Sequence, residues 1–131
     1  MITKARVRNS IALATVTLTA VAGFAPAANA AKPAKTKVII MPESRSFFGY
    51  VKSRQLSCKD GRKVVLFEQL GAAQDPRNDT RVASDIAQAN NDGYQWNLGN
   101  PGLEPGKLYY ARATRTPGCK PANSVTMAAQ E

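Results

Sequence analysis

Asp75, Asn78, Asp79 and Asp85, within the stretch "GAAQDPRNDTRVASD", are the densest set of oxygen donors in this chain that could hold a cation. They lack the ligand spacing of a calcium loop, so they read as a polar loop between elements. Asn78-Asp79-Thr80 in the same stretch fits a glycosylation sequon, which matters only in a cell with the machinery. Cys58 and Cys119 are the other reactive pair, and the chain contains no histidine. That absence removes the usual general base, the Ser-His-Asp and Cys-His arrangements, and imidazole metal sites. Paired carboxylates can hydrolyse glycosides without histidine, but Asp60, Asp75, Asp79, Asp92 and Glu104 all sit beside turn residues. There a carboxylate closes a turn or forms a solvated ion pair. The expectation is a non-enzyme with no catalytic residues, no metal site and no cofactor. Lys52, Asn123 and Glu68 are the combination that strand order would offer for a Lys-Asn crosslink beside an acid, a bond not expected where a disulfide already staples the domain.

The ends of the chain bear on where these residues work. Residues 1–30 place Lys4, Arg6 and Arg8 before an apolar run at 11–24 and close on Ala28-Asn29-Ala30, the three parts of a secretory signal peptide cleaved after Ala30. The competing reading, a membrane anchor, is disfavoured because the run is short of the roughly 20 residues a spanning helix needs and carries Thr15, Thr17 and Thr19. The leader shows neither a twin-arginine pair nor a cysteine beside the cleavage site. A soluble, secreted product is expected.

Without the leader, the 18 basic residues fall to 15 against 9 acidic, near +6. Lys32, Lys35 and Lys37 lie in "AKPAKTK", residues 31–37, which reads as an extended, solvated tail ahead of a domain at 38–131. The charge serves solubility or attraction to an anionic cell-envelope polymer; a protein partner is the other option. Nucleic acid is not expected, because the bases are spread along the chain and export removes it from the genome. A chain of this size makes one monomeric domain and buries roughly 60 to 65% of its unfolded surface, which is marginal alone. Two cysteines in an exported chain favour one disulfide, Cys58 to Cys119, over free thiols or metal ligands.

Short runs rich in Val, Ile, Phe and Tyr, separated by Gly, Pro, Asn and Asp, predict strands at 37–41, 46–53, 62–69, 79–87, 93–98, 107–115 and 122–128. Asp60-Gly61 and Asp92-Gly93 supply turn chemistry. In "RKVVLFEQL", Val64, Leu66 and Glu68 share one side and Val65 and Phe67 the other; both sides are apolar, as in a central strand. Tyr94, Trp96 and Leu98 share a face, and Tyr109, Ala111 and Ala113 point inward while Tyr110 and Arg112 point away. Only 79–87 could equally make a turn or two of helix. The fold class is all-β: a single antiparallel β-sandwich, Ig-like or prealbumin-like, of about seven strands.

The order Gly49, then "KVVLFEQ", then "ANNDGYQW", then "LEPGKLYYARA" resembles the transthyretin-like or carboxypeptidase-regulatory-like sandwich modules. It also looks like small secreted actinobacterial proteins with a cysteine before the second strand and another after "YYA". The resemblance implies that Pro105 and Gly106 shape a turn and that Tyr94, Trp96 and Tyr109 are core aromatics rather than a sugar platform. A transthyretin-like hydrolase would require histidines and a C-terminal tetrapeptide that this chain lacks. The expected function is a non-catalytic secreted module acting by binding to cell envelope, polysaccharide or a protein surface. The alternative is an effector or protease-inhibitor-like protein presenting the 71–81 loop, with Arg77 or Arg81 as anchor.

Overall fold

The computed structural model describes residues 32–131; the expected signal peptide and its cleavage after Ala30 lie outside the described residues. The described chain is all-β, with one 3-10 turn at Leu56–Cys58. In chain order the strands are β1 (Thr36–Glu43), β2 (Ser46–Ser53), β3 (Lys63–Glu68), β4 (Thr80–Ile86), β5 (Gln88–Asn90), β6 (Gly93–Asn97), β7 (Leu108–Ala113), β8 (Ala122–Asn123) and β9 (Met127–Ala128). They form two antiparallel sheets. The first runs β1-β2-β6-β5; the second runs β4-β3-β7-β8, with β9 also on β7.

Alternation builds the core as the sequence requires. Val38 and Ile40 of β1, Phe47 and Val51 of β2, Val64 and Leu66 of β3, Trp96 of β6, and Tyr109, Ala111 and Ala113 of β7 form one buried cluster shared by the two sheets. Strand β3 lies between β4 and β7, the central position its two apolar faces predict. Gly49 permits the tightest approach: a Cβ there would overlap the Ile39 carbonyl and stand 2.7 Å from Trp96 Cζ2. The indole fills the space a side chain would have taken, at 0% exposure.

The strand expected at 79–87 forms as β4, Thr80–Ile86, because six of its positions, Thr80, Arg81 and residues 83–86, register against β3; pairing along that edge decides against the local helical option. Three details depart from the periodic reading. Ala87 is fully buried, with its N–H on Arg62 O and its carbonyl taking Gly61 N–H, and there the chain leaves the second sheet and continues as β5 of the first. The expected strand at 122–128 divides into β8 and β9. Between them Ser124 Oγ accepts the Ala111 N–H at 2.8 Å, so a side chain takes the place of a ladder carbonyl. The tail expected at 31–37 is docked from Ala34 onward, with Ala34 N–H on Gly118 O and Lys120 N–H on Ala34 O. Strand β1 therefore starts ahead of Val38.

Candidate functional site

Cys58 and Cys119 are joined in a disulfide, their Cα atoms 5.4 Å apart across a sequence separation of 61. The bond ties the 3-10 turn after β2 to the segment leading into β8. Beside it lies Arg62, which nothing in "CKDGRK" distinguishes from its basic neighbours and which is 3% exposed. Its Nε donates to Thr114 O at 2.9 Å, Nη1 to Cys58 O at 2.9 Å and to Thr36 Oγ1 at 3.2 Å, and Nη2 to Lys120 O at 2.8 Å. One guanidinium thus links the start of β1, the 3-10 turn, the end of β7 and the approach to β8. Burial lowers its pKa from the usual arginine value, and the carbonyl dipoles around it take the place of a carboxylate partner.

This end of the molecule gathers charge that the sequence disperses. Antiparallel register sets Lys37 at the start of β1 opposite Lys52 near the end of β2. Lys35 and Arg54 flank that pair in sequence, and Lys63, Arg115 and Lys120 occupy the matching end of the second sheet; all seven side chains are exposed. Half-buried Lys59 places Nζ 5.0 Å from the centre of the Tyr94 ring. Asp60, Asp92 and Asp85, the last of these one residue from the register partner of Lys63, are the acids nearest this end by position in the fold. Glu43, Glu68, Glu104 and Glu131 fall toward the opposite end, where Lys107 pairs with Glu68 and Glu104 at 3.1 Å each. These two contacts hold the Lys107 ammonium above its ordinary range, the Glu68 hydrogen bond leading. They are the only ion pairs among the described residues.

Two concavities open at the basic pole. One, about 690 Å³, is walled by Pro33, Pro117 and Pro121 with Arg115 and Lys120. The other, about 270 Å³, lies between the end of β2 and the β5–β6 turn and is walled by Tyr50, Lys52, Lys59, Asp92 and Tyr94. At the far end, the β1–β2 turn, with Ser44 at φ 46, borders a third of about 560 Å³ near Arg45 and Glu131.

The outer faces of the sheets differ. On the second, Val65, Phe67 and Tyr110 form a small buried cluster of their own, Phe67 and Tyr110 stacking at 5.4 Å. Alternation alone turns Tyr110 outward, yet it is 0% exposed because residues 69–79 fold over it. Its hydroxyl donates to Asp79 Oδ2 at 2.6 Å, and the same carboxylate accepts Leu70 N–H at 3.0 Å and Asp75 N–H at 2.7 Å. Burial would raise the Asp79 carboxyl, but these three donors outweigh it and hold it below the ordinary carboxylate range. Burial, and then the carboxylate, push the Tyr110 hydroxyl well above the usual phenol value. Gln74 is held as well: its Nε2 donates to Ser124 O and Thr126 Oγ1 at 2.9 Å, and its Oε1 accepts from Asn123. The segment 71–81, expected to project, is in large part a strap on the sheet, with Arg77 exposed at its turn and Arg81 over the Phe67 ring at 5.7 Å. The outer face of the first sheet instead shows Ile39, Met41, Phe48 and Tyr50, with Met41 41% exposed.

Trp96 and Tyr109 are buried in the core and Tyr94 packs against it. The oxygen-rich set is only partly assembled: Asp75, Asn78 and Asp79 meet, but spend oxygens on the strap's own donors, while Asp85 accepts Asn97 N–H elsewhere. Among the described residues, no three Cys, Asp or Glu side chains group as for a metal. The crosslink candidates are dispersed: Lys52 is on the first sheet, whereas Glu68 pairs with Lys107 and Asn123 bonds Gln74 and Arg112. No described helix is long and apolar enough to cross a membrane. Neither family models, nor curated proteins, nor solved structures match the chain.

Proposed function

We propose that this chain is a secreted, non-catalytic and monomeric β-sandwich module of the transthyretin-like or carboxypeptidase-regulatory-like type, which binds an anionic polymer of the cell envelope. The observation that carries the reading is the segregation of charge. Exposed lysines and arginines converge at the disulfide pole without ion-pair partners, while the glutamates lie toward the other end. Such a pole orients the molecule toward a polyanion and raises its rate of encounter. The disulfide and Arg62 hold the strand ends that display the charges, so little backbone entropy is lost at the pole on binding. Absence of histidine from the sequence supports a contact function over a catalytic one.

Co-sedimentation of the purified protein with isolated cell walls tests this. Binding is expected at about 10 mM salt, where fields reach roughly 30 Å, and release is expected near 1 M, where they reach roughly 3 Å. Reversing Lys35, Lys63 and Lys120 to Glu should abolish it, whereas reversing Arg45 and Arg77 at the other end should not. Failure to bind any anionic wall or vesicle, or equal loss from both sets of reversals, would rule the reading out.

A further inference from the structure

The 270 Å³ concavity at the basic pole is smaller than the roughly 300–1,000 Å³ of sites that enclose drug-sized ligands, so it suits one ring rather than a chain. Its wall combines three kinds of group. Tyr50 is half-buried and lies against the backbone of Gly93, where an added Cβ would stand 3.6 Å from Tyr50 Cδ1. Gly93, at φ 140, is part of the β5–β6 turn beside that ring. Tyr94 also borders the cleft; its ring turns to the core side with Trp96 and lies under the Lys59 ammonium. Asp92 adds a carboxylate, with its own N–H bound to Asn90 Oδ1 at 2.8 Å.

The charges around this wall do not balance internally. Lys52 stands directly across from Lys37 on the paired strand, an arrangement in which like charges repel. Lys59 brings a third ammonium to the same region, and none of the three has a carboxylate within ion-pair distance. A ligand with a negative charge would relieve this repulsion, and one with an apolar ring face would cover Tyr50. Asp92 would accept hydrogen bonds from hydroxyl groups on the rim of that ring. A lipid chain or an apolar peptide would leave these polar groups without partners.

We infer that this cleft is a subsite for a single pyranose unit carrying an anionic substituent, its ring face on Tyr50, its charge toward Lys52 and Lys59, and its hydroxyls toward Asp92. The assignment rests on the polyanion-binding reading of the pole and gives it a chemical class: an anionic polysaccharide recognised through its sugar as well as its charge. The substituent is a carboxylate, as in a uronic acid, or a phosphate, as in a glycosyl phosphate.

Titration of the purified protein with tetragalacturonate, a sugar phosphate, a neutral tetrasaccharide and inorganic triphosphate distinguishes these sources. Saturation-transfer NMR should show sugar C–H protons against the protein for at least one anionic sugar, and the difference between the first two probes names the substituent. The neutral tetrasaccharide, lacking the charge-assisted contact at the subsite, should bind about tenfold or more weakly. Tyr50→Ala should cost the anionic sugar about tenfold while leaving triphosphate binding unchanged. Lys52→Gln with Lys59→Gln, whose side chains are not in the core, provides a second variant should Tyr50→Ala misfold. It should weaken the anionic sugar and spare the neutral one. If triphosphate binds as well as the sugars and Tyr50→Ala affects neither, the subsite is refuted while the polyanion reading of the pole stands. If no anionic probe binds and cell walls fail to retain the protein, both fall together.

Discussion

Replacing Arg62 by methionine should cost the domain about 3 kcal/mol. Methionine keeps an unbranched stem of similar path, so the apolar contacts of the arginine stem are largely retained. What is lost is the fork: the carbonyls of Thr114, Cys58 and Lys120 lose donors at 2.8 to 2.9 Å, and Thr36 loses one at 3.2 Å. A buried acceptor left without a donor costs about 1 to 3 kcal/mol; the bond to Cys58 O is buried, and those to Thr114 O and Lys120 O are part-buried and count at the low end. Release of the guanidinium from its desolvated site offsets part of that, which favours the low end for each. For a domain of this size, about 3 kcal/mol lowers the melting temperature by on the order of 15 °C. Trp96, the sole tryptophan and 0% exposed, reports unfolding by its fluorescence in a urea titration. Arg62→Lys, with one nitrogen in place of three, should fall between wild type and methionine. A methionine variant within about 0.5 kcal/mol of wild type, the usual range for surface substitutions, would refute the view that this side chain closes the disulfide pole.

Two further outcomes follow from the geometry. Gly49→Ala should destabilise by about 3 kcal/mol, the upper end for overpacking, because the new methyl meets the Ile39 carbonyl and the Trp96 indole; a urea midpoint unchanged from wild type would contradict it. Asp79 has a folded-state pKa below its unfolded value, so its contribution is present at neutral pH and is lost as pH falls through the folded pKa, below the ordinary carboxylate range. The drop in urea midpoint between about pH 6 and about pH 3 should therefore shrink in Asp79→Asn, and an equal drop in both proteins would exclude the strap as an acid-sensitive element.

Much of the scaffold was legible without coordinates. Alternation in "KVVLFE" and "LYYARA" marked β3 and β7 and the inward faces of Leu66, Tyr109 and Ala111, because a strand's side-chain period is a property of the local backbone. The pairing of Cys58 with Cys119 followed from there being two cysteines. Periodicity could not show that Tyr110, facing outward, would be covered by the strap and held by Asp79, since that depends on where a loop 31 residues away in sequence comes to rest. Nor could it distinguish Arg62 from Lys59 or Lys63, because its role depends on carbonyls of three separate segments converging on it. The basic pole has the same origin. Lys37, Lys52, Lys63 and Lys120 are dispersed along the chain, and it is antiparallel register, decided by the core and the cross-strand pairing together, that brings them to one end. Composition and alternation are local and were determined by the residues alone; the convergence of charge is non-local and was decided only when the sheets closed around Trp96.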